Sequence, residues 1–235
     1  MNKWVKTILF IALAAILTRW IPYSSFFRNV DTMIHEFGHA LMTLLVSGKV
    51  MYIHLFADHS GVTYSMVSGA GKGILISLAG YTSSALFASL LFIWYRRNRI
   101  QMGLMLLVLI TVINLFFFVR NEFGVFWCIG FAILTVVMII VPWEWLRQGY
   151  YLLIAFILMV ESVISALTLV LISVQQPSQA GDAANLASVT GIPSLIWAVL
   201  FIVIAGACAR LSMGSFLGGK QRVNAGSRAG STRRY

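Results

Sequence analysis

The chain has 235 residues, of which 60% are hydrophobic and only 10% charged, with a formal net charge of +10. Soluble domains carry about 25% charged residues, so this composition excludes an ordinary soluble domain and points to a polytopic membrane protein. The basic residues fall in short loops and in the tail, as topology determinants and anionic-lipid contacts do, and no basic helix with interleaved aromatics is present, so nucleic acid is not an expected partner.

An apolar core of about 30 Å needs about 20 residues per spanning helix. In chain order, seven stretches qualify, near 4–23, 31–47, 73–95, 101–119, 124–141, 149–174 and 194–212. The first opens "MNKWVKTILFIALAAILTRW". Its small residues Ala12, Ala14 and Ala15 lie inside the apolar run rather than after it, so it reads as an uncleaved span and not as a signal peptide. The second is short and contains "MIHEFGHAL". Residues 48–72 are too polar and glycine-rich to span; "VMYIHLF" and "GVTYSMV" flank the turn-like "ADHSG", which predicts a β-hairpin. In lipid the edges of such a hairpin need protein cover. Residues 175–193 form a second polar stretch, with Asp182 placed to cap a short helix that Gly191 and Pro193 would stop. Residues 213–235 are basic and rich in Gly and Ser, the composition of a disordered tail.

The expected fold is therefore all-α and polytopic, with six to seven transmembrane helices and a short membrane-associated hairpin. It makes one membrane domain over residues 1–212, with the hairpin about 48–72 and the polar loop about 175–193. Lys3 and Lys6 argue for one orientation; Arg28, "RRNR" at 96–99, Arg147 and the tail argue for the other. Either way, four spans separate the hairpin from the 175–193 loop, so both irregular segments belong on one side. Cys128 and Cys208 are isolated within apolar runs and read as small buried hydrophobes.

HExxH on a helix carries a zinc mechanism. Residues four apart differ by about 40° around a helix, so His35 and His39 share a face and can bind one tetrahedral Zn²⁺. Glu36 lies beside them, where it can act as general base toward a water that the metal acidifies. Polar residues in a membrane helix are costly, about 2.5–3.5 kcal/mol for a charge at mid-bilayer, so three in five positions require a compensating partner. A catalytic zinc needs a third protein ligand and one open position. The candidates are Asp31, which also fits as N-cap of this helix, His54, Asp58, His59, Glu161 and Asp182, and composition does not choose among them. Gly80, Ser83, Ser84 and Ala85 in "LAGYTSSALF" are small residues of the kind that let helices pack closely.

Four blocks, "HEFGHALMTLLVSGKV", "ADHSGVTYS", "LAGYTSSALF" and "GDAANLASVTGIPSLIWA", together resemble the site-2 protease family of intramembrane zinc metalloproteases, in particular its small bacterial B-like members. The resemblance runs from about residue 30 to 200. It implies a zinc endopeptidase that cuts peptide bonds in or near transmembrane segments, with His35 and His39 as zinc ligands and Glu36 as catalytic residue. The family's third ligand is a late aspartate, matched here by Asp182, although the glycine precedes it in "GDAANL" where the family pattern has one after it. Asn185 and His54 are the candidates for substrate contact, and the hairpin would offer a strand edge to an unwound substrate. The implied cofactor is Zn²⁺, the partners are the bilayer and a membrane-protein substrate, and the location is a multi-pass bacterial inner or plasma membrane. Two alternatives remain: a protease-like binding or regulatory protein without turnover, and a metal-ion transporter.

Overall fold

The structure is a computed structural model and describes residues 15, 16 and 24–218. The first candidate span at 4–23, apart from Ala15 and Ile16, and the tail beyond Gly218 lie outside the described residues. Among the described residues there are seven α-helices and one two-stranded antiparallel sheet. In chain order these are α1 (Ser24–Leu45), β1 (Lys49–Leu55), β2 (Gly61–Met66), α2 (Ala70–Arg96), α3 (Ile100–Ile113), α4 (Glu122–Ile140), α5 (Glu144–Gln175), α6 (Gly181–Thr190) and α7 (Ser194–Leu217). A π-turn, Asn114–Phe118, extends α3, and a 3₁₀ turn, Pro177–Gln179, precedes α6.

Five of the helices are long and apolar enough to cross a membrane: α2, α3 with its π-turn, α4, α5 and α7. α1 is of a different kind. It carries Arg28, Asp31, His35, Glu36 and His39 within its 22 residues and buries all of them wholly or in part. Several boundaries depart from the sequence reading. α1 begins at Ser24, not near 31, so Asp31 sits about two turns inside the helix and does not cap it. Arg28 is then a helical residue instead of a loop charge: its Nε and Nη2 donate to Glu161 Oε1 and Oε2 at 2.8 and 3.1 Å. This forked pair ties α1 to the middle of α5 and neutralises a carboxylate that apolar surroundings would otherwise penalise. α5 starts at Glu144, five residues before the expected 149, and α7 continues through 213–217, residues assigned from composition to the tail.

α1 ends where Ser47 takes a left-handed φ of 59° and Gly48 N–H returns to Thr43 O at 2.8 Å, turning the chain into β1. The hairpin then lies back along α1. Thr43 Oγ1 meets Ser65 Oγ at 2.9 Å near the open end, Thr63 meets Glu36 midway, and Thr32 Oγ1 donates to His59 O at 2.8 Å at the turn. The turn is closed by His59 N–H to Phe56 O at 3.2 Å, with His59 itself at φ 70°. A left-handed conformation is strained for a non-glycine residue, and the Thr32 and Asn29 contacts hold it. Ile53 and Leu55 are fully buried, and the outer edge of β1 is covered. Arg120 N–H reaches Ile53 O at 3.1 Å, and Asn121 bonds both the N–H and the C=O of Leu55 at 3.1 and 2.5 Å. The π-turn makes this possible: its Val119 N–H returns to Asn114 O at 2.7 Å, and Val119 then bridges Ile53.

α2 packs along α1 through small residues. A Cβ on Gly38 would lie 2.0 Å from Ser83 Oγ and 3.0 Å from Ala79 O, so only glycine permits this crossing. α7 places Ala198, Phe201, Ala205, Ala209 and Ser212 on one buried face, and Ser212 Oγ bonds Ser89 Oγ of α2 at 3.2 Å. α2 to α5 cross the bundle four times, so the chain returns to the hairpin end before α6. The hairpin and α6 accordingly close on one cavity, as the parity of the spans requires. Cys128 is buried and Cys208 half-buried, both as free thiols.

The forked pair yields a stability prediction. Glu161→Ala leaves Arg28 buried without its partner and should destabilise the fold by roughly 2–4 kcal/mol, seen as a lowered thermal midpoint in detergent. Arg28→Met with Glu161→Met should recover most of that loss, because both charges leave together.

Candidate functional site

The site is built from α1, α2, β2 and α6. His35 and His39 project from one face of α1, as their spacing predicts. Their Nε2 atoms are 3.1 Å apart. Asp182, in the first turn of α6, places Oδ2 at 3.3 Å from His35 Nε2 and 3.2 Å from His39 Nε2. Asp182 therefore does not cap its helix. The N-cap position is Ala180, and the carboxylate is turned to the imidazoles instead. The preceding Gly181 has φ 43°, a left-handed value that favours glycine. That gives "GDAANL" a physical reason for its glycine before the aspartate: the backbone turns there so that the next carboxylate can reach α1.

The three donor atoms are spaced as a metal would require. Tetrahedral zinc with bonds of about 2.0–2.1 Å puts neighbouring donors roughly 3.3–3.4 Å apart, and the three separations here are 3.1, 3.2 and 3.3 Å. Among the described residues these are the three side chains grouped closely enough to hold an ion. His39 Nδ1 faces Ile76 O at 2.7 Å. A carbonyl can only accept, so Nδ1 carries a proton and Nε2 is the nitrogen turned to the cluster, the ring orientation that a metal-binding histidine requires. Tyr81 packs edge-on to His35 with ring centroids 4.6 Å apart, and Phe201 of α7 backs Tyr81 at 4.8 Å.

Gly80 is the residue that makes room. A Cβ there would lie 2.5 Å from the Nε2 atoms of both His35 and His39. The "LAGYTSSALF" block is thus a packing block, as its composition indicates, but one position in it borders the donor atoms directly.

Glu36 lies on the hairpin side. Its Oε2 accepts from Thr63 Oγ1 at 2.6 Å, and the same hydroxyl contacts Glu36 O at 3.1 Å. Gly61 supplies the clearance, since a Cβ on it would sit 2.8 Å from Glu36 Oε1. Thr63 and Gly61 lie in the predicted hairpin and in the "ADHSGVTYS" block, but nothing in their residue types marks them as partners of Glu36. His35, Glu36, His39, Asp182 and Asn185 all line one cavity of about 330 Å³, bordered by Gly61, Val62 and Thr63 of β2.

The other candidates lie elsewhere. His54 is on the β1 face opposite Ile53, stacked on Tyr52 at 4.6 Å, and does not line this cavity. The alternation of the strand puts it with the tyrosines. Asp58 is in the hairpin turn, where the hydroxyl and N–H of Ser60 hold its carboxyl below the usual range. His59 Nδ1 faces Asn29 Oδ1 at 3.1 Å, and burial lowers its pKa. Glu161 is paired with Arg28. Asp31 is buried on α1 beside a separate cavity.

Comparison with curated proteins and with solved structures found no match. The family model described as Peptidase M50B-like matches residues 8–212, nearly the whole described bundle and all of the cavity above. The chain belongs to this peptidase family, the site-2 protease family.

Proposed function

We propose that this chain is an intramembrane zinc endopeptidase that hydrolyses peptide bonds in or beside transmembrane segments of other proteins. The observation that carries the reading is the meeting of His35 and His39 with Asp182, contributed from almost 150 residues away at zinc-ligand spacing, beside a glutamate and an open cavity. Membership in a metallopeptidase family supports it.

His35 Nε2, His39 Nε2 and Asp182 Oδ2 would hold the zinc, leaving one position toward the cavity. Zinc bound there supplies Lewis acidity toward water and the scissile carbonyl. Thr63 fixes Glu36 through Oε2, which leaves Oε1 to take the proton of the attacking water. The same carboxyl then delivers that proton to the amide nitrogen as the C–N bond breaks. Asn185 lies one turn beyond Asp182, exposed at the cavity, where its amide can bond a substrate backbone. A helical substrate hides its carbonyls, so it must unwind before entering. β2 borders the cavity along Gly61, Val62 and Thr63, and among the described residues no helix backbone bonds to that side of the strand. An unwound substrate can pair there as an added strand.

Three measurements on purified protein test this. Glu36→Gln should retain about one zinc per chain while hydrolysis of a membrane-embedded reporter in proteoliposomes falls by roughly 10²–10⁴-fold; full activity in this variant contradicts the reading. Gly80→Ala should weaken zinc affinity by roughly 10–100-fold, measured by competition with a chelator, because the new methyl displaces both imidazoles. Removing zinc from the parent protein should abolish hydrolysis, and adding it back should restore it.

A further inference from the structure

The metal-ligand cavity contains a donor with no partner of its own. Ser77 of α2 lines this cavity and is 8% exposed. Hydroxyls on apolar helices ordinarily satisfy themselves on a nearby backbone carbonyl, and the other serines and threonines of α2 do so. Thr82 donates to Leu78 O at 2.7 Å, Ser83 to Gly80 O at 2.9 Å, Ser84 to Asp31 O at 3.3 Å and Ser89 to Ala85 O at 3.1 Å. Ser77 Oγ makes no such bond among the described residues. It is not sealed away either. The enclosed side-chain polar atoms without a partner are Asp31 Oδ1, Arg96 Nε, Asn114 Oδ1 and Ser173 Oγ, and Ser77 Oγ is not one of them. It opens on the cavity that Ser77 lines.

Its neighbours fix where that hydroxyl lies. The preceding residue, Ile76, gives its carbonyl to His39 Nδ1 at 2.7 Å. One turn on, Gly80 is the position where a Cβ would lie 2.5 Å from both Nε2 atoms. Ser77 therefore borders the donor cluster from α2, whereas Glu36 is held on the hairpin wall by Thr63. Amide hydrolysis develops charge at two oxygens. One belongs to the attacking water, whose proton a base must take. The other is the scissile carbonyl oxygen, which becomes negative as its carbon turns tetrahedral. Glu36 is an acceptor and suits the first; the second needs a donor on a wall other than that of the base. We propose that Ser77 Oγ–H is this donor, a further catalytic residue that binds the carbonyl oxygen as its charge grows; this rests on the peptidase reading above. The hydroxyl lends a hydrogen bond and transfers no proton, so it is unchanged when the C–N bond breaks. Two other donors border the cavity. Asn185 is exposed at its rim, and Tyr81 is shared with the second cavity between α1, the hairpin turn and α5, its ring held between His35 and Phe201. Ser77 is the buried one, and a donor fixed away from water stabilises a developing charge most.

The test reads binding as well as turnover. Ser77→Ala should keep the zinc content and thermal midpoint of the parent, because the hydroxyl it removes bonds nothing in the resting protein. Hydrolysis of the membrane-embedded reporter should fall roughly 10²-fold in kcat, with KM changed by no more than about twofold. A peptide phosphinate, whose tetrahedral oxygens imitate the reacting carbon, should bind zinc-loaded Ser77→Ala roughly 10–100-fold more weakly than the parent. An ordinary peptide, titrated into Glu36→Gln protein with and without Ser77→Ala, should bind both alike. Unchanged kcat, unchanged phosphinate affinity, an equal loss for phosphinate and peptide, or a loss of zinc or of thermal midpoint overturns the assignment. A parent protein that hydrolyses no reporter overturns the peptidase reading instead, and the phosphinate comparison still decides whether Ser77 donates to an oxygen at this site.

Discussion

Everything at this site depends on how closely α1 and α2 can approach. Gly38 fits its bare backbone against Ser83 and Ala79, and one turn away Gly80 leaves the volume that the His35 and His39 rings occupy. Small residues make such crossings in apolar surroundings because packing, not water exclusion, holds the helices together. The result is two imidazole nitrogens facing one point from a single helical turn. Asp182 is brought to that point by a left-handed glycine and a short helix that no longer needs to span. With neutral imidazoles, the carboxylates of Asp182 and Glu36 give the pocket two negative charges. A divalent cation would balance them, and this supports the proposed metal centre over a packing network.

The irregular backbone beside the site obeys the same economy. A hairpin at membrane depth must satisfy its polar groups within the protein. β1 does so against Val119, Arg120 and Asn121, which the π-turn shifts into register, and the hairpin turn does so through Thr32 and Asn29 of α1. β2 is the strand left beside the cavity. Its residues clamp Glu36 with Thr63 and clear space for it with Gly61, so the element that would receive a substrate also orients the proposed general base. Under the proposed function, substrate pairing and proton transfer would be mechanically linked.

Much of this was legible in the sequence. HExxH fixed the face of α1 because helical periodicity is strict. The β-branched and aromatic runs around "ADHSG" gave the hairpin, and counting spans put it on the same side as the 175–193 loop. What local pattern could not choose was the third member of the cluster, since six acidic or imidazole groups were chemically suitable and only tertiary packing brings Asp182 to α1. The positions of Arg28 and Asp31 were hidden for a related reason. The apolar run near 31–47 marks the hydrophobic part of α1, but the helix extends seven residues further back, where pairing with Glu161 lets an arginine enter the bundle. His54 sits with the tyrosines because strand alternation, once the register is known, puts it on the far face.

The most direct measurement of the central claim is X-ray diffraction from crystals of the purified protein on either side of the zinc absorption edge. The account predicts one anomalous peak per chain, within about 2.0–2.2 Å of His35 Nε2, His39 Nε2 and Asp182 Oδ2. A peak elsewhere, or imidazoles that diverge with Asp182 turned to solvent, would contradict it.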